Sequence, residues 1–193
     1  MPNPRDALQA GDALLIVDVQ IDFCPGGALP IDDGDAVVPV LNQWIAAAVV
    51  ASVPIFASRD WHPAEHLSFR QSGGQWPVHC LQDSDGARFH PDLDLPASTI
   101  LVTKGVRFDK DQYSAFDDTG LAAELRKRNI GRVWIGGLAL DVCVRATVLG
   151  ARQEGFEAAV IADATRPVTA AGGDSANDDM RRAGARFATT DVS

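Results

Sequence analysis

Reactive side chains follow apolar runs at four places in this chain of 193 residues. Asp18 ends Leu14-Leu15-Ile16-Val17, and Asp60 comes just after Pro54-Ile55-Phe56-Ala57-Ser58. Lys104 follows Ile100-Leu101-Val102-Thr103, and Cys143 comes after Val133-Trp134-Ile135 and a Gly-rich turn. A thiol becomes a strong nucleophile once it loses its proton, and a carboxylate can take that proton and return it to a leaving group. An ammonium group beside both stabilises either anion. Together, three such groups have the makings of a covalent hydrolase. Singly, each has a plainer use: the cysteine as a small buried hydrophobe, the lysine as a solvated cation, the aspartate as a strand cap bonded to backbone N–H groups.

A second set of residues has metal-ligand character. In "SRDWHPAEHLSFRQSGGQWPVHC", Asp60 and His62 stand two apart on an extended segment and so point to one side, with His66 and His79 farther along. A carboxylate with imidazoles suits zinc, iron or manganese and leaves positions open for water or substrate. His66 could instead hydrogen-bond a ligand or cap the following turn, and His90 in "RFHP" reads as a turn histidine. Phe23, Trp61, Trp76 and Tyr113 fall in loops and could wall a pocket for a flat ring, whereas Trp44 and Trp134 read as core and Cys24 and Cys80 as packing residues.

These residues need a scaffold. Strands are expected over 13–19, 54–58, 100–103, 132–135, 158–162 and, more weakly, 186–189, with helices over 37–51, 120–129, 142–153 and 175–183. Strands alternating with helices imply βαβ units and an α/β fold around a parallel sheet covered on both faces. In such sheets sites gather outside the carboxyl ends of the strands, where Asp18, Asp60, Lys104 and Cys143 all fall. Cys143 would open a helix, whose N-terminus favours a thiolate and offers free N–H groups to an oxyanion. The stretch 60–96 breaks the alternation, and loops that long within a domain are usually functional. No repeat or linker divides the chain, so one domain is expected.

Composition narrows the partners. With 17 Lys+Arg against 26 Asp+Glu, the net charge of -9 argues against nucleic acid or an anionic membrane. No apolar run approaches the roughly 20 residues of a membrane span, and residues 1–9 are polar without a secretory pattern, so a cytoplasmic protein is expected. Three cysteines cannot all pair, and no zinc-type C-x-x-C occurs, which points to free thiols in a reducing compartment.

The strings "IVDVQIDFCPGGALP", "SRDWHPAEHLSF", "WPVHC", "TKG" followed by "YSAF", and "GGLALDVCVRAT" resemble, in order and spacing, the nicotinamidases of the isochorismatase-like (cysteine hydrolase) superfamily. "VIADATRPV" extends the likeness towards the C-terminus. The resemblance implies a Rossmann-like three-layer α/β/α sandwich with a six-stranded parallel sheet, a single domain over residues 1–193, and a metal-binding loop at about 60–96. It implies a triad of Asp18, Lys104 and Cys143, and an oxyanion hole from the amides of Ala139 and Cys143 with a cis peptide before Ala139. It further implies one divalent metal ion, zinc first and iron or manganese as alternatives, on Asp60, His62 and His79, with His66 a ligand in some members only. Phe23 and Trp76 would flank a pyridine ring, and Gln20 and Tyr113 would also contact substrate. The implied reaction is hydrolysis of nicotinamide to nicotinate and ammonia, with pyrazinamide as a second substrate and homo-oligomerisation left open. Rival expectations are another amide or ureido hydrolase of the superfamily, or a non-catalytic metal-binding protein on the same scaffold. Leu140 and Val142 depart from the pattern, since many relatives have Thr at 140 and an aromatic residue or His at 142.

Overall fold

The computed structural model describes residues 3–190. Six strands form one sheet: β1 (Asp12–Val17), β2 (Ile55–Asp60), β3 (Ile100–Lys104), β4 (Arg132–Leu138), β5 (Glu157–Arg166) and β6 (Arg186–Ala188). Their spatial order is β3-β2-β1-β4-β5-β6, and every neighbouring pair is parallel. The helices are α1 (Pro4–Ala7), α2 (Val37–Ala51), α3 (Leu121–Lys127), α4 (Arg145–Gln153) and α5 (Ala170–Arg182).

Strand periodicity sorts the core into two. Leu14 and Ile16 of β1 pack with Leu41, Trp44 and Ala48 of α2, while Leu15 and Val17 pack with Leu125 of α3, Val148 of α4 and Met180 of α5. Alternate side chains of one strand therefore face opposite helix layers, which makes the three-layer α/β/α sandwich. The stretch Gly34–Ala51 has the length and composition of a membrane span, with a mean hydropathy of 1.4. In the fold its α2 part is a core helix, with Leu41, Trp44 and Ala48 fully buried.

Strands β4 and β5 run on to Leu138 and Arg166, beyond the expected ends at 135 and 162, α1 is an addition to the expected helices, and two further helical regions differ. The stretch before α4 is a separate wide, π-type helical turn (Leu140–Val144), of the kind often found at functional sites. Helix α5 begins at Ala170, five residues before the expected start, because Thr169 accepts a hydrogen bond from the Gly172 amide as N-cap. Gly172 and Gly173 look like helix breakers, yet a Cβ at Gly172 would lie 2.2 Å from Asp141 Oδ2 and one at Gly173 would lie 3.0 Å from the Pro167 ring. Close approach requires glycine there.

The chain runs outward from β1 to β2 and β3, then returns to the other side of β1 with β4. Crevices of parallel sheets form at such reversals, beyond the carboxyl ends of the strands.

Candidate active site

The carboxyl ends of β1 to β4 deliver the four reactive residues to one place. Val17 ends β1, and Asp18 turns the chain off the sheet in the left-handed region, at φ 48°. Lys104 ends β3, on the far side of β2, and its ammonium lies 2.7 Å from Asp18 Oδ2, 2.6 Å from Asp60 Oδ1 and 3.5 Å from Cys143 Sγ. Oxygens of Asp18 and Asp60 and the Cys143 sulfur all lie within 4.8 Å of one another. Ser58, two residues before Asp60 and so on its side of β2, donates its hydroxyl to Asp18 Oδ1 at 2.7 Å. Sequence reasoning passed over Ser58, although its period-two relation to Asp60 was there to read.

The charges hold one another in place. Burial pushes the Cys143 thiol well up, against the downward pull of Lys104. Burial likewise raises Asp18, more than the Lys104 ammonium lowers it. Burial would raise Asp60 too, but Lys104 and the imidazoles of His62 and His79 hold it below the ordinary value. Lys104, although buried, is kept firmly charged by Asp18 and Asp60.

The long loop folds back on itself to build the second cluster. The His62 amide donates to the Cys80 carbonyl at 2.9 Å and the Gln82 amide donates to the His62 carbonyl at 2.9 Å. That pairing sets the His79 ring 4.7 Å from the His62 ring. Asp22, also unread in the sequence, braces the return by accepting the Cys80 amide at 2.7 Å. Asp60, His62 and His79 offer ligand atoms within 4.8 Å of one another, and all three are buried. The Nδ1 atoms of His62 and His79 face the carbonyls of His79 and Pro77 at 3.3 and 2.8 Å. With Nδ1–H donating, each Nε2 keeps its lone pair, the usual arrangement behind a metal. Burial lowers His62 to about 4, so its ring is neutral. A carboxylate and two such imidazoles fit a divalent metal of the zinc type.

His66 lies beside this cluster, its ring 4.5 Å from that of His62. Its Nδ1 is engaged by the Ser68 hydroxyl at 2.7 Å, while Nε2 is buried without a hydrogen-bond partner. His66, His62 and Asp111 also bring ligand atoms within 4.8 Å, so Asp111 is a further candidate the sequence did not suggest. Gly105 passes so close that a Cβ there would lie 2.7 Å from His62 Nε2, and its φ of +71° favours glycine as well. That accounts for the glycine of "TKG".

A cavity of about 520 Å³, mouth included, joins the two clusters. Asp60, His62 and His79 line one part, Cys143 and Ala139 another, and Phe23, Trp76 and Tyr113 form walls. Trp76 Nε1 donates to the Tyr113 hydroxyl at 3.0 Å, which steadies that wall. The Leu138–Ala139 peptide is cis, and Cys143 lies in the helical turn after it, where the Val142 and Val144 amides donate to the Ala139 carbonyl at 3.1 and 3.0 Å. Val142 lines the cavity, whereas Leu140 is buried in the core. Trp61 packs against the core cluster under Arg59, and His90 sits at a turn. Cys24 and Cys80 are buried free thiols, and Trp44 and Trp134 stack in the core 4.9 Å apart.

Gln20 stands apart from the sequence reading. It does not line the cavity; its carboxamide is fully buried and bonded to the backbone at Asp60 and Ala87. With both donors and the acceptor engaged, it has nothing to offer a substrate.

The Isochorismatase domain model matches residues 12–192. The chain belongs to the isochorismatase family. A nicotinamidase of Escherichia coli is 40% identical to this isochorismatase-family chain, over 92% of it and 94% of the relative. The crystal structure of a pyrazinamidase of Pyrococcus horikoshii in complex with zinc superposes with a TM-score of 0.90 at 41% identity, covering 93% of this chain and 99% of that one. A structure of PnC1 from L. infantum in complex with nicotinate has a TM-score of 0.86 at 36% identity, covering 93% of each chain.

Proposed function

We propose that this protein is a nicotinamidase, a metal-assisted cysteine amidohydrolase that converts nicotinamide to nicotinate and ammonia and also accepts pyrazinamide. One observation carries the reading. The Cys143 sulfur, 3.5 Å from the Lys104 ammonium, lines the same aromatic-walled cavity as the Asp60, His62 and His79 cluster. The likeness to a nicotinamidase, a pyrazinamidase and a nicotinate complex supports it. In this reading residues 1–193 form one isochorismatase-like domain, with 60–96 as its metal-binding region.

Asp18 takes the thiol proton as Cys143 attacks the carboxamide carbon, forming the sulfur–carbon bond. Lys104 stays charged and steadies both anions. The amides of Ala139 and Cys143 receive the oxyanion. Asp18 hands its proton to the departing amine, the carbon–nitrogen bond breaks, and ammonia leaves a thioester. Asp18, ionised again, takes one proton from water as it attacks the thioester and returns it to the Cys143 sulfur as the carbon–sulfur bond breaks. The product leaves as nicotinic acid and gives its remaining proton to solvent, becoming nicotinate. Phe23 and Trp76 hold the ring between them and exclude water. Asp60, His62 and His79 would hold the metal, zinc first, with His66 a candidate fourth ligand, and the bound ion would supply a Lewis-acidic contact that orients the pyridine ring.

Ammonia release from nicotinamide tests this in wild type, Cys143→Ala and chelator-treated protein. Metal-loaded wild type is expected to turn over, Cys143→Ala to be inactive, and chelated protein to recover with zinc. No turnover in any metal-reconstituted wild-type sample overturns the substrate. Full activity in Cys143→Ala overturns the mechanism.

A further inference from the structure

Strand β1 stops pairing with β2 at Val17 and Ser58, and the last bond on that side runs from the Asp18 amide to the Ser58 carbonyl at 3.1 Å. Asp60 keeps β3 on one flank, where it is in register with Lys104, but has no strand on the other. The Gln20 side chain occupies that missing place. The Asp60 amide donates to Gln20 Oε1 at 2.8 Å, and Gln20 Nε2 donates back to the Asp60 carbonyl at 2.8 Å. The second Nε2 hydrogen goes to the Ala87 carbonyl at 2.8 Å, near the far end of the long loop. One carboxamide thus mimics a strand residue and pins both the first residue of the metal-type cluster and the loop that returns from His79.

We infer that Gln20 is a positioning residue that sets metal affinity through Asp60. No other side chain of this length carries two donors and an acceptor in one plane: Glu lacks the donors, and Asn is shorter by a methylene. Asp60 also accepts the Lys104 ammonium at 2.6 Å, so a loosened Asp60 would disturb both clusters. Outer-shell partners of this kind typically govern metal affinity by 10- to 100-fold. The inference rests on the metal-site part of the proposed function.

Zinc affinity of the metal-stripped full chain, measured by competition with a chromophoric chelator, tests it without recourse to activity. Gln20→Met, similar in size and without the amide, is expected to bind zinc at least about tenfold more weakly. Gln20→Asn is the second variant should the first not fold, and the same weakening is expected. Asp12→Asn serves as control: it loosens the Arg132 and Trp134 bonds at the opposite end of the sheet and is expected to lower stability while leaving zinc affinity unchanged. Wild-type affinity in either Gln20 variant overturns the inference, as does equal weakening in Asp12→Asn. A wild type that binds no zinc overturns the metal-site reading and this inference with it.

Discussion

The Lys104 ammonium stands 2.6 Å from the Asp60 carboxylate, and this buried contact joins the metal-type cluster to the residues around Cys143. The same nitrogen lies 2.7 Å from Asp18, so one cation balances two buried carboxylates. The two halves of the site are therefore one electrostatic unit, and disturbing either is felt by the other.

Removing that cation should be severe. Lys104→Met leaves Asp18 and Asp60 buried without their counter-ion, and breaking a buried pair from one side typically costs about 3–5 kcal/mol. Urea unfolding is expected to show a loss of that size, with no detectable ammonia release. An unchanged unfolding midpoint would refute the view that Lys104 holds the carboxylates together.

Asp18 sets the acid side of the pH profile. Burial keeps its pKa above the ordinary carboxylate value, and the proposed attack needs it ionised. At constant excess zinc, kcat/KM should fall as pH drops through that raised pKa, so the acid limb lies above pH ~4. Asp18→Asn, nearly isosteric but unable to take a proton, should lose about 10²–10⁴-fold in rate and that limb with it. An acid limb persisting unchanged in Asp18→Asn would assign it elsewhere.

Gly105→Ala tests the tight passage beside His62. The added Cβ would lie 2.7 Å from His62 Nε2 and 3.3 Å from Asp60 Oδ1, at a φ of +71°. Backbone strain of this kind costs about 1–3 kcal/mol, and the displaced ring should weaken zinc binding by about tenfold or more. Thermal unfolding and chelator competition measure the two effects. Wild-type values in both would show that the passage is looser than its geometry.

Zinc should stabilise the fold. Free zinc at 100 times its Kd is worth about 2.7 kcal/mol, or roughly 2–4 °C in Tm per kcal/mol for a chain of this size. Calorimetry with and without chelator reads the shift. It should vanish in the Asp60→Ala/His62→Ala double variant, and its survival there would move the metal to other residues.

Much of this architecture is a matter of local pattern. Leu14-Leu15-Ile16-Val17 is apolar throughout because both its faces are covered, and α2 carries its length and bounds openly in residues 37–51. The placement of Asp18, Lys104 and Cys143 at strand ends followed from the same alternation. The start of helix α5 is not legible in this way, because Gly172 and Gly173 answer to close contacts with Asp141 and the Pro167 ring that only the fold creates.

Residue type and spacing were enough to mark a thiol, an ammonium, two carboxylates and a set of imidazoles as one chemistry, because strand and helix periods place side chains over a few residues. Which groups touch was decided by the folded chain. Lys104 meets Asp18, Asp60 and Cys143 across separations of 86, 44 and 39 residues. The resemblance implies a substrate contact for Gln20, and only the end of β1 pairing at Val17 shows that its amide stands in for a strand beside Asp60. No local period encodes such a contact, since it exists only where two distant segments pack and leave a backbone group in need of a partner.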